Sequence, residues 1–85
     1  MKHRATATFW KLYAALPAEI KPIADKNFEL LKANPKHPSL HFKNIKKDIW
    51  SARVGMHYRA IAVEKNFDFD WVWIGTHEEY DRIIK

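Results

Sequence analysis

The sequence contains no cysteine, only two glycines and four prolines, and no long hydrophobic run. Without cysteine, neither a disulfide framework nor a thiolate zinc site or thiol nucleophile is available. The basic opening stretch "MKHRATATFW" is not followed by an uninterrupted apolar run, so the sequence predicts no signal peptide, and no later segment approaches the length of a membrane span. We therefore expect a cytoplasmic protein with no membrane partner.

The residues that are present are typical of one globular domain. Of 85 residues, 47% are hydrophobic and 29% charged, and a chain of this length holds one hydrophobic core but not two. We expect a single domain over residues 1–85. Fifteen Lys and Arg against ten Asp and Glu give a net charge of +5, which favours polyanions such as RNA. The positive charge is densest in residues 41–63, and the acidic residues predominate after them.

Apolar spacing predicts two helices in the first part of the chain. Thr6 or Thr8 caps a short first helix, because a threonine hydroxyl accepts a bond from a first-turn amide. A second helix covers about residues 17–33, with an apolar stripe at steps of three and four. Pro22 conflicts with a regular helix there, so the helix either begins nearer Lys21 or kinks.

From about Phe42 the pattern changes to strands. Residues 50–54 alternate in polarity, a turn follows at Gly55 and Met56, and "HYRAIAVEK" and "FDWVWIG" supply two further strands. "THEEYDRIIK" then opens with a capping box and continues as a short helix. The sum is an α+β fold, in which an N-terminal helical hairpin packs on an antiparallel β-sheet meander and a short C-terminal helix follows.

The candidate site combines basic and titratable side chains: Lys43, Lys46, Lys47, Arg59, His77 and Tyr80. Arg59 near the start of one strand and His77 just past the end of the next are expected at the same sheet edge. Arginine holds phosphate through paired donors and histidine titrates near neutral pH, which suits metal-free phosphoryl transfer. Strand parity groups Arg59 with Ile61 and Val63 and predicts that Arg53 points to the other face.

Each of these residues also has a purely structural interpretation. Arg59 is a candidate for an ion pair with an acidic residue: Asp48, Glu64 or Asp70. His77 is equally suited to the first turn of a helix, Tyr80 to anchoring that helix, and the lysines to a solvated loop. His37 and His41 stand in a proline-rich loop without a partnering glutamate, and no glycine-rich phosphate loop occurs, so we expect no metal and no cofactor. The four tryptophans are more typical of a core than of a base-stacking platform.

Taken together, the order helical hairpin, "LLKANP", basic segment, "WSARVGMHYRAIAV" and "WIGTHEEYDRII" resembles the RelE/ParE superfamily of bacterial type II toxins, close in style to its short HigB-like members. The resemblance covers nearly the whole chain. Its most specific part is the hairpin, where the family often shows an aromatic residue, alternating basic residues, Val-Gly and Tyr-Arg. Those positions are here Trp50, Arg53, Val54, Gly55, Tyr58 and Arg59.

The resemblance implies a toxin neutralised by a cognate antitoxin and, in the ribonuclease branch, a ribosome-dependent mRNA endoribonuclease that inhibits translation. By position it implies that Arg59 contacts the scissile phosphate and that His77 and Tyr80 supply acid/base or stacking groups. It assigns RNA binding to the basic residues Lys43, Lys46, Lys47 and Arg53. The C-terminal stretch reads "THEEYD" where ribonuclease members are usually basic, so inhibition of DNA gyrase and an inactive antitoxin-binding module stay open as alternatives.

Overall fold

The computed structural model of the chain describes residues 2–85. In chain order its elements are β1 (His3–Ala5), α1 (Ala7–Ala14), α2 (Lys21–Ala33), a 3₁₀ turn (Pro38–Leu40), β2 (Lys43–Lys46), β3 (Ile49–Val54), β4 (Tyr58–Lys65), β5 (Asp68–Thr76) and α3 (His77–Ile84). The strands form one sheet in the order β1-β5-β4-β3-β2, with β1 parallel to β5 and the other pairs antiparallel. The predicted α+β fold is confirmed; β2 adds a further antiparallel strand at one edge of the sheet, and β1 adds a parallel strand at the other. Within residues 2–85 no helix is both long and apolar enough to cross a membrane.

The helix starts follow from their capping residues. Thr6 is the N-cap of α1, and its hydroxyl accepts a bond of 3.2 Å from a first-turn amide. Helix α2 begins at Lys21, which places Pro22 in the first turn, where its missing N–H leaves no bond unmade. The capping box of α3 is complete, because the Thr76 hydroxyl accepts from the Glu79 amide at 3.2 Å and the Glu79 carboxylate accepts from the Thr76 amide at 3.0 Å.

The core lies between the helices and one face of the sheet. On that face the sheet presents small residues beside large ones, since Ala52, Ala60 and Ala62 are buried there next to Trp71 and Phe69. Burying these apolar groups is the main stabilising term for a domain of this size.

The edge strand β1 is held to the core through His3. The imidazole stacks on the Phe69 ring at 5.1 Å, and its Nδ1 accepts a hydrogen bond of 3.1 Å from the Trp71 indole N–H. Burial lowers the pKa of His3 below its ordinary value, since the charged form is poorly solvated there. The neutral imidazole is therefore the form that fits the fold.

Two features of the strands decide where the site lies. The β3–β4 turn covers residues 55–57, with Gly55 at φ +63°, a conformation that glycine adopts without strain. In β5, the register against β4 shifts between Ile61 and Ala62, so that Trp73 pairs with Ile61 and Trp71 pairs with Ala62. Val72 is the extra residue of this β-bulge.

Candidate functional site

Arg53 of β3 and Arg59 of β4 occupy directly opposed positions in the sheet. Opposed residues of an antiparallel pair project to the same face, and their neighbours Ala52 and Ala60 project into the core on the other side. Both arginines therefore lie on the face that the helical hairpin does not cover. We call this the site face; its positions in the central strands are Ser51, Arg53, Arg59, Ile61, Trp73 and Gly75.

The expectation that the two arginines point to different faces is wrong. Parity groups Arg59 with Ile61 and Val63, the larger apolar residues of β4. The residues that face the helices are instead Ala60 and Ala62, and Ile61 is buried on the site face. The error arose because both faces of β4 are covered, which removes the polarity signal on which parity depends.

His77 lies at the edge of the sheet where the arginines are found, as the sequence predicts. Arg59 opposes Gly75, two residues before His77, and the His77 amide donates to the His57 carbonyl at 2.8 Å. The His77 side chain is 44% exposed, and its Nδ1 lies 3.1 Å from the Asp81 carboxylate one helical turn later. With Nδ1 donating to Asp81, Nε2 is the nitrogen left for a substrate.

The side chain of Tyr80, in α3, contacts the guanidinium group of Arg59 in β4. The tyrosine side chain is only 4% exposed, and the Arg59 guanidinium carbon lies 5.4 Å from the centroid of its ring. The His77 ring is 6.1 Å away between centroids. A buried ring of this kind anchors α3 and supports the guanidinium through a cation–π contact.

The positive charge of the arginines is not neutralised inside the protein. Within residues 2–85, neither Arg53 nor Arg59 forms an ion pair, and the Nε of Arg59 is buried without a hydrogen-bond partner. Two of the carboxylates considered as partners are engaged elsewhere, since Asp70 binds Arg4 at 3.2 Å and Glu64 accepts from the indole of Trp50 at 2.9 Å. Two opposed cations that lack counter-ions among these residues have the chemistry to bind an anion.

The predicted lysines divide into two groups. Lys43 opposes Ser51 and is therefore two residues along the strand, about 7 Å, from the level of Arg53. Lys46 opposes Ile49, four residues or about 13 Å from that level, and Lys47 lies in the following turn at φ +44°. The structure thus places Lys43 nearer to the level of the arginines, and Lys46 and Lys47 at the opposite end of the sheet.

Metal-ligating side chains do not converge in the described part of the chain. No group of three His, Cys, Asp or Glu residues within residues 2–85 has the arrangement that could hold a metal ion. His37 caps the 3₁₀ turn, where its Nδ1 accepts from the Ser39 amide at 3.2 Å, and His41 ends that turn.

A residue that the sequence did not place in the site is Trp73. Trp71 and Trp73 share a parity and are expected on one face, but the bulge at Val72 turns Trp73 to the site face while Trp71 stays in the core. The only signal in the sequence is the run of large residues at both parities of this strand, which does not locate a bulge.

A comparison with protein families identifies the family to which this chain belongs. A family model described as the ParE-like toxin domain matches residues 23–82, which include most of α2, strands β3 and β4 with both arginines, and most of α3. The chain belongs to the ParE-like toxin family. The predicted membership of the RelE/ParE superfamily is therefore confirmed, and the chain is a toxin of that toxin-antitoxin superfamily.

Solved structures share the fold of this ParE-like toxin at low sequence identity. The RelB–RelE antitoxin–toxin complex from Methanococcus jannaschii is 20% identical, with a TM-score of 0.69 over 96% of this chain and 99% of that chain. A YoeB/ParE toxin from Agrobacterium tumefaciens is 16% identical, with a TM-score of 0.68 over 91% of this chain and 99% of that chain. The toxin–antitoxin complex RelBE2 from Mycobacterium tuberculosis is 20% identical, with a TM-score of 0.68 over 89% and 96%. A sequence search of curated proteins found no match.

Proposed function

We propose that this toxin is a ribosome-dependent, metal-independent mRNA endoribonuclease that inhibits translation. One observation supports this function above the others: Arg53 and Arg59 share the site face with no ion pair within residues 2–85. A protein that holds two like charges opposite each other gives up stability, and a phosphodiester is the anion that a pair of guanidinium groups fits best.

The residues of the site suit attack by the ribose 2′-hydroxyl on the neighbouring phosphate. In this reaction Nε2 of His77 takes the proton from the 2′-hydroxyl as the 2′-oxygen bonds to phosphorus, and the bond to the 5′-oxygen breaks. The 5′-oxygen takes a proton from water, and the products are a 2′,3′-cyclic phosphate and a 5′-hydroxyl. Arg59 binds the phosphate oxygens on which charge develops, and Asp81 holds the imidazole in the tautomer that accepts the proton.

The exposure of the site supports the proposed dependence on ribosomes. His77 is 44% exposed and stands at a sheet edge, so the toxin itself does not surround the RNA or fix the reacting ribose. Alignment of the 2′-oxygen with the phosphate then has to come from a platform that holds the mRNA, and such alignment contributes a large part of a rate enhancement. The decoding ribosome, which holds mRNA in a defined path, is the partner that we propose.

Gyrase inhibition is the second candidate, and one observation favours it. Glu78 and Glu79 occupy the first turn of α3 directly after His77, where they repel a phosphate backbone. Transcript ends mapped after brief induction, together with a gyrase supercoiling assay, separate the candidates. The ribonuclease produces new ribosome-dependent ends and leaves supercoiling unchanged; an inhibitor of DNA gyrase gives the reverse, and an inactive antitoxin-binding module gives neither.

We further propose that a cognate antitoxin covers the groove between β1, α1 and α2. This groove has a volume of about 300 Å³ and includes the aromatic side chains Phe9, Trp10, Tyr13 and Phe28. Trp10 remains 50% exposed, which is unusual for so large an apolar side chain. The solved relatives described as RelB–RelE complexes support such a partner.

Co-expression with the adjacent small open reading frame tests the antitoxin surface. The Trp10→Ala variant is expected to remain toxic but to escape neutralisation, because exposed aromatic anchors dominate binding energy at interfaces. Ile83→Ala is the matched control, since Ile83 is 52% exposed but lies outside the groove. Equal neutralisation of both variants would place the antitoxin elsewhere.

A further inference from the structure

The bulge in β5 turns one tryptophan out of the core and onto the site face. Phe69 and Trp71 face the helices, and after the extra residue Val72 the alternation reverses, so that Trp73 and Gly75 face the arginines. Bulges re-aim side chains and are frequent beside active sites. Trp73 is only partly buried on this cationic face, whereas a tryptophan in the core would be fully buried and would add more apolar area to it.

Gly75 leaves room for the indole of Trp73, which lies over this position of the strand. A Cβ atom at Gly75 would come within 2.5 Å of the Trp73 ring and 3.1 Å of the Glu79 carboxylate, so no other residue fits without moving the ring. Gly75 in turn opposes Arg59 on the neighbouring strand. The indole is therefore fixed one strand spacing, about 4.8 Å, from the strand that carries Arg59.

These neighbours give the site face two chemically different parts. Arg53 and Arg59 form a cationic part that has no counter-ion among residues 2–85, and the Trp73 indole forms an aromatic part beside it. Single-stranded nucleic acid presents the same pair of features in each nucleotide, an anionic phosphate and an apolar base face. Single-stranded RNA is thus the ligand that complements both parts.

We propose that Trp73 is the stacking platform for the nucleobase adjacent to the phosphate that Arg59 binds. This inference rests on the proposed function for the identity of the ligand, RNA, and adds a base-binding subsite to it. The subsite positions the nucleotide and makes cleavage depend on a base being present. Gly75 belongs to the subsite because any side chain at this position would collide with the Trp73 ring.

Intrinsic fluorescence of the full chain tests the subsite. The probes are a short single-stranded 2′-O-methyl oligonucleotide, which has no 2′-hydroxyl to attack the phosphate, and an abasic oligonucleotide of the same length and charge. Stacking of a base on the indole quenches tryptophan fluorescence, so we expect quenching with the first probe and not with the second at low salt. Trp73→Phe is expected to remove the quenching while keeping the affinity within about threefold, and Trp73→Leu to weaken binding about tenfold, within the usual range for one base–aromatic stack.

Three results would overturn the inference: no quenching at any probe concentration, equal quenching by the abasic probe, or full affinity in Trp73→Leu. Circular dichroism and the melting temperature of each variant show whether the fold is kept. A parallel assay of mRNA cleavage on ribosomes separates this inference from the proposed function. If quenching depends on Trp73 but no mRNA is cleaved, the base subsite is kept and the ribonuclease function is rejected. If mRNA is cleaved and Trp73→Leu binds the probe with full affinity, the ribonuclease function is kept and the base subsite is rejected.

Discussion

Arg53 and Arg59 face each other directly across β3 and β4, and within residues 2–85 neither forms an ion pair. Opposed like charges on a sheet are destabilising, and one member of this pair, Arg59, lies against the buried ring of Tyr80. The arrangement is understandable if an anion completes it.

Removing one of the two charges is expected to separate stability from function. Arg53→Gln relieves the repulsion and should raise the free energy of unfolding by about 0.2–1 kcal/mol, while toxicity falls because the phosphate loses a donor. Urea denaturation and a growth assay on the same variant measure both. A variant that is less stable and less toxic would show that Arg53 serves the fold instead.

The His77 imidazole is expected to carry proton transfer. His77→Ala should lower the cleavage rate roughly a hundredfold or more, the usual scale for a general acid or base. Asp81→Asn should cause a smaller loss, because the imidazole remains but its Nδ1 loses the charged partner that holds the tautomer. Cleavage rates that are unchanged in His77→Ala, in protein of normal melting temperature, would rule out this role.

The lysines are expected to differ according to their distance from the arginines. Lys43→Ala should weaken RNA binding and reduce the slope of log K against log salt by about one unit for each phosphate that the variant no longer binds. Lys47→Ala, in the turn at the far end of the sheet, should have the smaller effect. Filter binding over a series of salt concentrations makes the comparison, and equal slopes for the two variants would contradict the placement.

The stability of the fold is expected to fall in mild acid because of His3. Burial lowers its pKa below 6.5, so the unfolded chain binds the proton more readily than the folded one. The contribution of His3 is complete above about pH 6.5 and is lost as the pH falls through the lower pKa of the folded state. His3→Phe keeps an aromatic ring at this position but does not titrate, so its unfolding free energy should decline less steeply below about pH 6.5; parallel curves for the two proteins would exclude this contribution.

Local patterns in the sequence were sufficient to predict most of the fold. Thr6 and Thr76 mark helix starts because capping needs only residues within one turn, and Pro22 limits the start of α2 for the same reason. The edge strand β1 was less evident, since its three residues are held by tertiary contacts with β5 rather than by any local pattern.

The site could be predicted in part, and the two errors have different causes. Arg59 and His77 were placed at the same sheet edge from strand order alone, and the structure agrees. The face of Arg53 could not be predicted, because both faces of β4 are covered and the sequence does not show which of them meets the helices. The face of Trp73 could not be predicted, because it depends on a bulge. One extra residue reverses every side chain after it, and nothing local in the sequence marks the position of Val72.

The central claim is that the site face cleaves RNA through Arg59, and cleavage of mRNA by purified protein on programmed ribosomes tests it most directly. The wild-type toxin should cut the transcript only when ribosomes are present. Arg59→Ala should cut roughly 100- to 1,000-fold more slowly, the loss usual for one preorganised donor, with its melting temperature nearly unchanged. A folded Arg59→Ala protein that cleaves at the wild-type rate, or a wild-type toxin that leaves ribosome-bound mRNA intact, would contradict the account.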